Sequence, residues 1–172
     1  MAWFVLLVAL VGAERVGELA VARRNERWSV ARGAVEAGAG HYPAMVALHT
    51  GLLVGALLEA WLGDRRFLPA LGWPMLALVV AAQGLRWWCI STLGRQWNTR
   101  IFVVPGLRRV TGGPYRLFAH PNYVAVVVEG FALPLARSAW ITALAFTALN
   151  ALLLSVRVNA ENAALRGLAA GG

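Results

Sequence analysis

Apolar stretches of helical length alternate with shorter polar ones along the chain, the pattern of a protein that crosses a bilayer several times. The first apolar run, residues 2–13, is short for a span. A helix continuing to about residue 22 completes one if Glu14, Arg15 and Glu18 sit at the membrane edge or face other helices. Residues 23–40 turn polar, and the mixed charges of Arg23, Arg24, Glu26 and Arg27 around Asn25 predict a solvated loop. A second span covers residues 43–62, carries His49 and Glu59, and ends in a polar turn at 63–66. A third covers residues 69–93, with Gln83 and Arg86 three apart and so on one side of the helix. The longest polar stretch, residues 94–119, follows and is the candidate functional loop. Within it, residues 101–104 are too short to cross a bilayer, which leaves them to lie along the interface or fold back. The fourth and fifth spans cover residues 121–135 and 140–156, and the tail from Arg157 continues the last helix into the cytosol before fraying into Ala169, Ala170, Gly171 and Gly172. The expected fold is all-α. It is a single domain, residues 1–172, forming a polytopic transmembrane helical bundle of about five spans with a cytosolic loop and a C-terminal helix.

Composition agrees and narrows the picture. Of 172 residues, 59% are hydrophobic and only 14% charged, against roughly one-quarter charged in soluble domains. The net charge of +8 comes from 16 basic residues, all arginine, set against eight acidic ones. Such an excess suits nucleic acid, but these arginines lie between apolar runs and form no basic face interleaved with aromatics, so no nucleic-acid partner is expected. They report sidedness instead. Basic residues near span ends favour the cytoplasm. Arg15, Arg23, Arg24, Arg27 and Arg32 fall on the same side as Arg95, Arg100, Arg108, Arg109 and Arg116 and the tail's Arg157 and Arg166, against Arg65, Arg66 and Arg137 on the other. The N-terminus is therefore expected outside an inner or plasma membrane, with the C-terminus and the functional loop in the cytoplasm. Residues 2–13 contain no basic residue to open a secretory signal, so the first segment is expected to stay as a span. Cys89, beside Trp87 and Trp88, is expected as a small buried hydrophobe, and the scattered His41, His49 and His120 predict no metal site.

Three polar groups on the expected cytoplasmic side are candidates for chemistry. In the first, Gly112, Gly113, Pro114, Tyr115 and Arg116 are followed by His120, Pro121, Asn122 and Tyr123 at the mouth of the fourth span. Pro121 suits the first turn of a helix, so backbone N–H groups near Asn122 and Tyr123 are free to meet an anionic or polar ligand. The plainer alternative is a glycine-proline turn with interfacial tyrosines. Glu129 is the second, seven residues beyond Asn122 and ~10 Å deeper on nearly the same face. A charge at that depth should face the bundle interior, either paired with a basic residue such as Arg86 or lining a substrate cavity. The third is Asn150, Arg157 and Glu161, spaced by seven and four and so one polar stripe down the last helix, for which an exposed Arg-Glu pair is the plainer alternative.

The order GPYR at 113–116, HPNY at 120–123 and RVNAENAAL at 157–165 resembles the isoprenylcysteine carboxyl methyltransferase family, whose pattern is GPYR, RHPxY and later RIxxEExxL. LGRQW at 93–97 looks like the segment leading into it. The resemblance implies a membrane methyltransferase that uses S-adenosyl-L-methionine near the cytoplasmic ends of the last helices. Its acceptor, a lipophilic small molecule or lipidated substrate, would enter from the lipid bilayer. Carried over onto this chain, the cofactor site would comprise Gln96, Trp97, Gly113, Pro114, Tyr115, Arg116, His120, Pro121, Asn122 and Tyr123, with Arg157 and Glu161 anchoring cofactor or acceptor. A carboxylate acceptor is already ionised, whereas a phenol would benefit from a base such as Glu129 or His120. Two positions depart from the pattern: Ala119 stands where the family commonly has Arg, and Asn162 replaces the second Glu. Bacterial-type members with the HPNY form, some of which look like partners of polyketide synthases, imply O-methylation of a long-chain phenol or related lipid. The C-terminal region also resembles membrane sterol reductases, so a nicotinamide-dependent reductase is the enzymatic alternative. A non-catalytic membrane subunit or small transporter, with Arg86 and Glu129 as a buried pair, is the other.

Overall fold

The computed structural model describes residues 1–107 and 110–170, so the sidedness expected of Arg108 and Arg109 and the fraying expected of Gly171 and Gly172 lie outside the described residues, while Ala169 and Ala170, expected to fray with them, remain in the last helix. Among the described residues are five α-helices: α1 (Ala2–Val30), α2 (Tyr42–Leu62), α3 (Pro69–Leu93), α4 (Pro121–Leu135) and α5 (Trp140–Ala170). Three helical stretches, Ala39–Leu62, Pro69–Gln96 and Trp140–Ala164, are long and apolar enough to cross a membrane, and α4 is a shorter apolar helix. Pro43, Pro69 and Pro121 each sit in the first turn of their helix, where a missing N–H breaks no intrahelical bond. Large apolar side chains such as Leu62, Val80 and Leu152 are left exposed over a wide surface, which lipid tolerates and water does not. The chain forms an integral membrane bundle.

The first helix runs past its expected end near residue 22 and on to Val30, through residues expected to form a solvated loop. The physical reason is one stripe. Phe4, Val8, Val11, Glu18, Ala22, Asn25 and Ser29 are buried and Arg15 half-buried, at alternating spacings of four and three, while Arg23, Arg24 and Arg27 face outward. The Asn25 amide donates to the carbonyls of Gly94 (3.0 Å) and Trp97 (2.7 Å), and Asn98 donates to the carbonyl of Ala22 (3.2 Å). The polar end of α1 is thus docked on the turn that follows α3.

Residues 101–104, for which lying along the interface or folding back were the options, supply a strand. Strand β2 (Ile101–Val103) pairs antiparallel with β1 (Val35–Ala37), Val35 opposite Val103. Ile101 and Val103 are buried and Phe102 less so, the period of two that a strand with one covered face requires. A two-stranded ribbon is marginal alone, and this one packs against α1 and α5.

Helix α4 is the most enclosed, packed between α3 and α5. Gly130 allows α5 to come close, because a Cβ there would overlap the Phe146 ring. At the start of α5, Glu59 of α2 accepts from the N–H groups of Ile141 (3.1 Å) and Thr142 (2.7 Å), so a carboxylate meets the positive end of a helix and two of its unpaired donors. Around Phe4, Val8, Ala56, Val79 and Leu133 the helices close into an apolar core.

Candidate active site

A cavity of about 420 Å³ lies inside the bundle, within the range of about 300–1,000 Å³ usual for small-molecule sites. Residues 96–103 form one wall; Tyr115, His120, Asn122 and Tyr123 form another; and Asn150, Arg157 and Glu161 come from α5. A further wall is apolar, from Met45, Val46, Leu53 and Val54 of α2 and Leu153 and Leu154 of α5.

The starts and faces of two helices assemble the polar wall. Helix α4 begins at Pro121, which sets Tyr123 in its first turn, and Arg157 and Glu161 share one face of α5. The Tyr123 hydroxyl donates to Glu161 Oε2 at 2.7 Å, and His120 Nδ1 lies 3.6 Å from the same oxygen. The His120 and Tyr123 rings stack with centroids 5.4 Å apart. Arg157 is buried, with its guanidinium 5.9 Å from the centre of the Tyr123 ring and one Nη donating to the carbonyl of Thr99 at 2.9 Å. Three buried polar atoms of the wall have no partner: the amide oxygens of Asn122 and Asn150 and the indole nitrogen of Trp97. Buried polar groups are normally hydrogen-bonded, so these mark places for a ligand's donors and acceptor.

The GPYR turn serves the site through Tyr115. Gly113 has φ +54°, and a Cβ there would lie 2.5 Å from Thr92 Oγ1, so glycine lets the turn lie on α3. Tyr115 reaches the cavity; burial first, and then the nearby Cys89, hold its hydroxyl above the ordinary phenol range. Cys89 itself is fully buried. Gly113, Pro114, Arg116 and Pro121 do not line the cavity; Pro114 and Pro121 are buried in the turn and the helix start, and Arg116 is exposed. Gln96, Trp97, Tyr115, His120, Asn122, Tyr123, Arg157 and Glu161 are brought together.

Glu129 is held elsewhere. Its carboxylate meets Arg86 Nη2 at 2.5 Å and Arg15 Nη2 at 3.4 Å and does not line the cavity, so of its two possible arrangements the fold adopts the ion pair. Glu18 completes a quartet, 2.8 Å from Arg15 Nη1 and 3.5 Å from Arg86 Nε. Gln83 accepts from Arg15 at 3.0 Å and donates to Glu14, which also accepts from the Trp87 indole at 2.5 Å. Arg15, Glu18 and Arg86 reach the cavity, and so does His49, whose Nδ1 is 2.9 Å from the carbonyl of Met45. Sequence reasoning did not place Arg15, Glu18, His49 or Thr99 in a site. For Arg15 and Glu18 a signal existed, since both fall on the four-three stripe of α1; for Thr99 there was none.

The sequence model of the isoprenylcysteine carboxyl methyltransferase (ICMT) family matches residues 75–167, more than half of the chain. The uncharacterized protein YpbQ of Bacillus subtilis is 39% identical over 164 residues, covering 95% of this chain and 96% of the relative. An uncharacterized protein of Haemophilus influenzae is 26% identical over 163 residues, 93% of each chain. No solved structure matches. The matched stretch runs from α3 through the loop and α4 into α5, and so contains the GPYR, HPNY and Arg157 motifs together with the walls they build. A helical membrane bundle that carries these motifs around one cavity, matched by the family model over more than half of its length, belongs to the isoprenylcysteine carboxyl methyltransferase family.

Proposed function

We propose that this protein transfers a methyl group from S-adenosyl-L-methionine to an oxygen, a carboxylate or a phenol-type hydroxyl, of a lipophilic acceptor held in the membrane. Family membership points to a membrane methyltransferase. The observation that carries the finer reading is that one cavity joins the polar motif residues to the apolar wall of α2 and α5. A water-soluble, charged cofactor and a greasy acceptor need one space with both characters.

The residues fit the cofactor's groups. Arg157 offers N–H donors to a carboxylate, and Glu161 accepts from an ammonium or a ribose hydroxyl. The unpartnered amide oxygens of Asn122 and Asn150 accept from N–H groups, and the Tyr123 and His120 rings present faces to an adenine or a sulfonium cation. When bound, the cofactor supplies an activated methyl group. The protein's part is to hold, orient and exclude water. Arg157 ties α5 to the 96–103 wall through Thr99, Tyr123 fixes the Glu161 carboxylate, and Glu129 acts at one remove by holding Arg86. The arginine distribution supports placing the motif end, and the C-terminus, on the cytoplasmic side, where the cofactor is dissolved.

Calorimetric titration of the detergent-purified chain with S-adenosylhomocysteine tests the reading. Micromolar binding that His120→Ala loses is the expected result. Absence of binding in a folded sample overturns it, and binding of NADPH in a parallel titration points to a reductase instead.

A further inference from the structure

At one end of the bundle, Arg23, Arg24 and Arg27 of α1, Arg32 just after it, Arg95 after α3 and Arg116 of the GPYR turn are exposed and pair with no carboxylate among the described residues. The elements that carry them meet at the end of α3, because Asn25 bonds the Gly94 carbonyl and Gly113 lies against Thr92. The carboxylates at this end are already engaged. Glu26 and Glu36 each face Arg100 at 3.5 Å, and Glu161 holds Tyr123 and His120. Like charges gathered on one surface repel one another unless counter-charge covers them.

The patch stands at the depth of lipid headgroups. Arg23 is ~32 Å along α1 from Ala2, just past the ~30 Å hydrocarbon core of a bilayer. Arg23 and Arg27 are four residues apart on one helix face and can grip one headgroup together. Beside Arg116, Leu117 and Phe118 are 69% and 45% exposed, and the Arg32 guanidinium lies 4.1 Å from the centre of the Trp28 ring. Charges interleaved with bare apolar side chains suit the boundary between headgroups and acyl chains better than open water.

The cofactor does not account for this charge. None of these arginines lines the cavity, yet two of them flank it: Arg95 precedes Gln96, which is both exposed and cavity-lining and so marks an opening, and Arg116 follows Tyr115 of another wall. S-adenosyl-L-methionine carries a sulfonium and an ammonium against one carboxylate, a net positive charge, so basic side chains beside the opening oppose its approach. S-adenosylhomocysteine lacks the sulfonium and is neutral overall.

We infer that this patch binds the headgroups of anionic phospholipids in the leaflet it meets, and that those lipids offset the repulsion of the cationic cofactor at the opening. The second half rests on the methyl-transfer reading; the first does not. A phosphate accepts guanidinium N–H groups in bidentate pairs. In phosphatidylglycerol that phosphate keeps its net charge, whereas the choline of phosphatidylcholine cancels it.

The full chain is reconstituted in nanodiscs of phosphatidylcholine alone, or of phosphatidylcholine and phosphatidylglycerol in equal parts. Electron paramagnetic resonance of spin-labelled lipids compares how strongly each is held at the protein. Wild type should prefer phosphatidylglycerol by about tenfold, and Arg23→Gln, Arg24→Gln and Arg27→Gln together should cut this to about threefold or less. By calorimetry, wild type should bind S-adenosyl-L-methionine about threefold or more tighter in the mixed discs than in phosphatidylcholine, while S-adenosylhomocysteine changes by less than about twofold. In phosphatidylcholine the triple variant should bind S-adenosyl-L-methionine more tightly than wild type does. A wild type without the lipid preference, or a triple variant that keeps it in full, overturns the lipid surface. If the triple variant does not fold, about 1 M salt decides, because screening there reaches within about 3 Å and a preference that survives it is not one of charge. Equal gains for the two cofactor ligands, or none, overturn the second half. If neither ligand binds in any disc while the lipid preference stands, the methyl-transfer reading falls and the lipid surface remains.

Discussion

Tyr123→Phe removes one oxygen from the centre of the site and little else. The ring still stacks on His120 at 5.4 Å and still lies 5.9 Å from the Arg157 guanidinium, so the first turn of α4 keeps its packing. What disappears is the 2.7 Å bond from the hydroxyl to Glu161 Oε2. Its remaining neighbour there, His120 Nδ1, is 3.6 Å away, too far for a good hydrogen bond. A bond to an ionised acceptor contributes about 1.5–3 kcal/mol. The Glu161 side chain is 29% exposed, so water screens it and the lower end applies. About 1.5 kcal/mol of lost positioning is a little over tenfold in affinity. Calorimetric titration with S-adenosylhomocysteine, in wild type, Tyr123→Phe, Glu161→Gln and the double variant, measures it. The double variant should lose less than the sum of the single losses, because both remove the same bond. Unchanged affinity in Tyr123→Phe, or strict additivity, refutes the argument that Tyr123 acts by fixing Glu161.

Other expectations concern the scaffold that holds the site. Asn25→Ala strips the Gly94 and Trp97 carbonyls of their side-chain donor and should cost about 2 kcal/mol; thermal unfolding reads the loss, and hydrogen exchange should rise around residues 94–99. Glu129→Leu leaves Arg86 buried without its nearest carboxylate and should destabilise by about 3–5 kcal/mol. A normal melting temperature in that variant would falsify the ion-pair role. Gly130→Ala should overpack the α4–α5 contact against Phe146 at about 1–3 kcal/mol, and Phe146→Leu in the same chain should restore part of it. Tyr115 ionises later in the folded chain than the ordinary tyrosine at ~10. Above that pH the unfolded state has released a proton that the folded state retains, so stability falls, and Tyr115→Phe should flatten this alkaline decline in denaturation midpoints.

What the sequence determined by itself is what lies close together along the chain. The limits of α3 and α4 were legible because proline opens each helix and polar residues follow each apolar run. The motif residues of the loop and of α5 were legible as neighbours, because a seven-four spacing shares a helix face wherever that helix is placed. The tertiary structure decided the rest. Hydropathy averages over all sides of a helix, so the charges of Arg23 to Arg27 hid the stripe that carries α1 on to Val30. Strands β1 and β2 hold each other only as a pair, and neither three-residue segment announces the other. Glu129 could pair or line a cavity, and the choice fell to Arg86, 43 positions away, and Arg15, 114 positions away. A buried charge settles where distant elements bring its counter-charge, and that distance is fixed by packing rather than by any local pattern of residues.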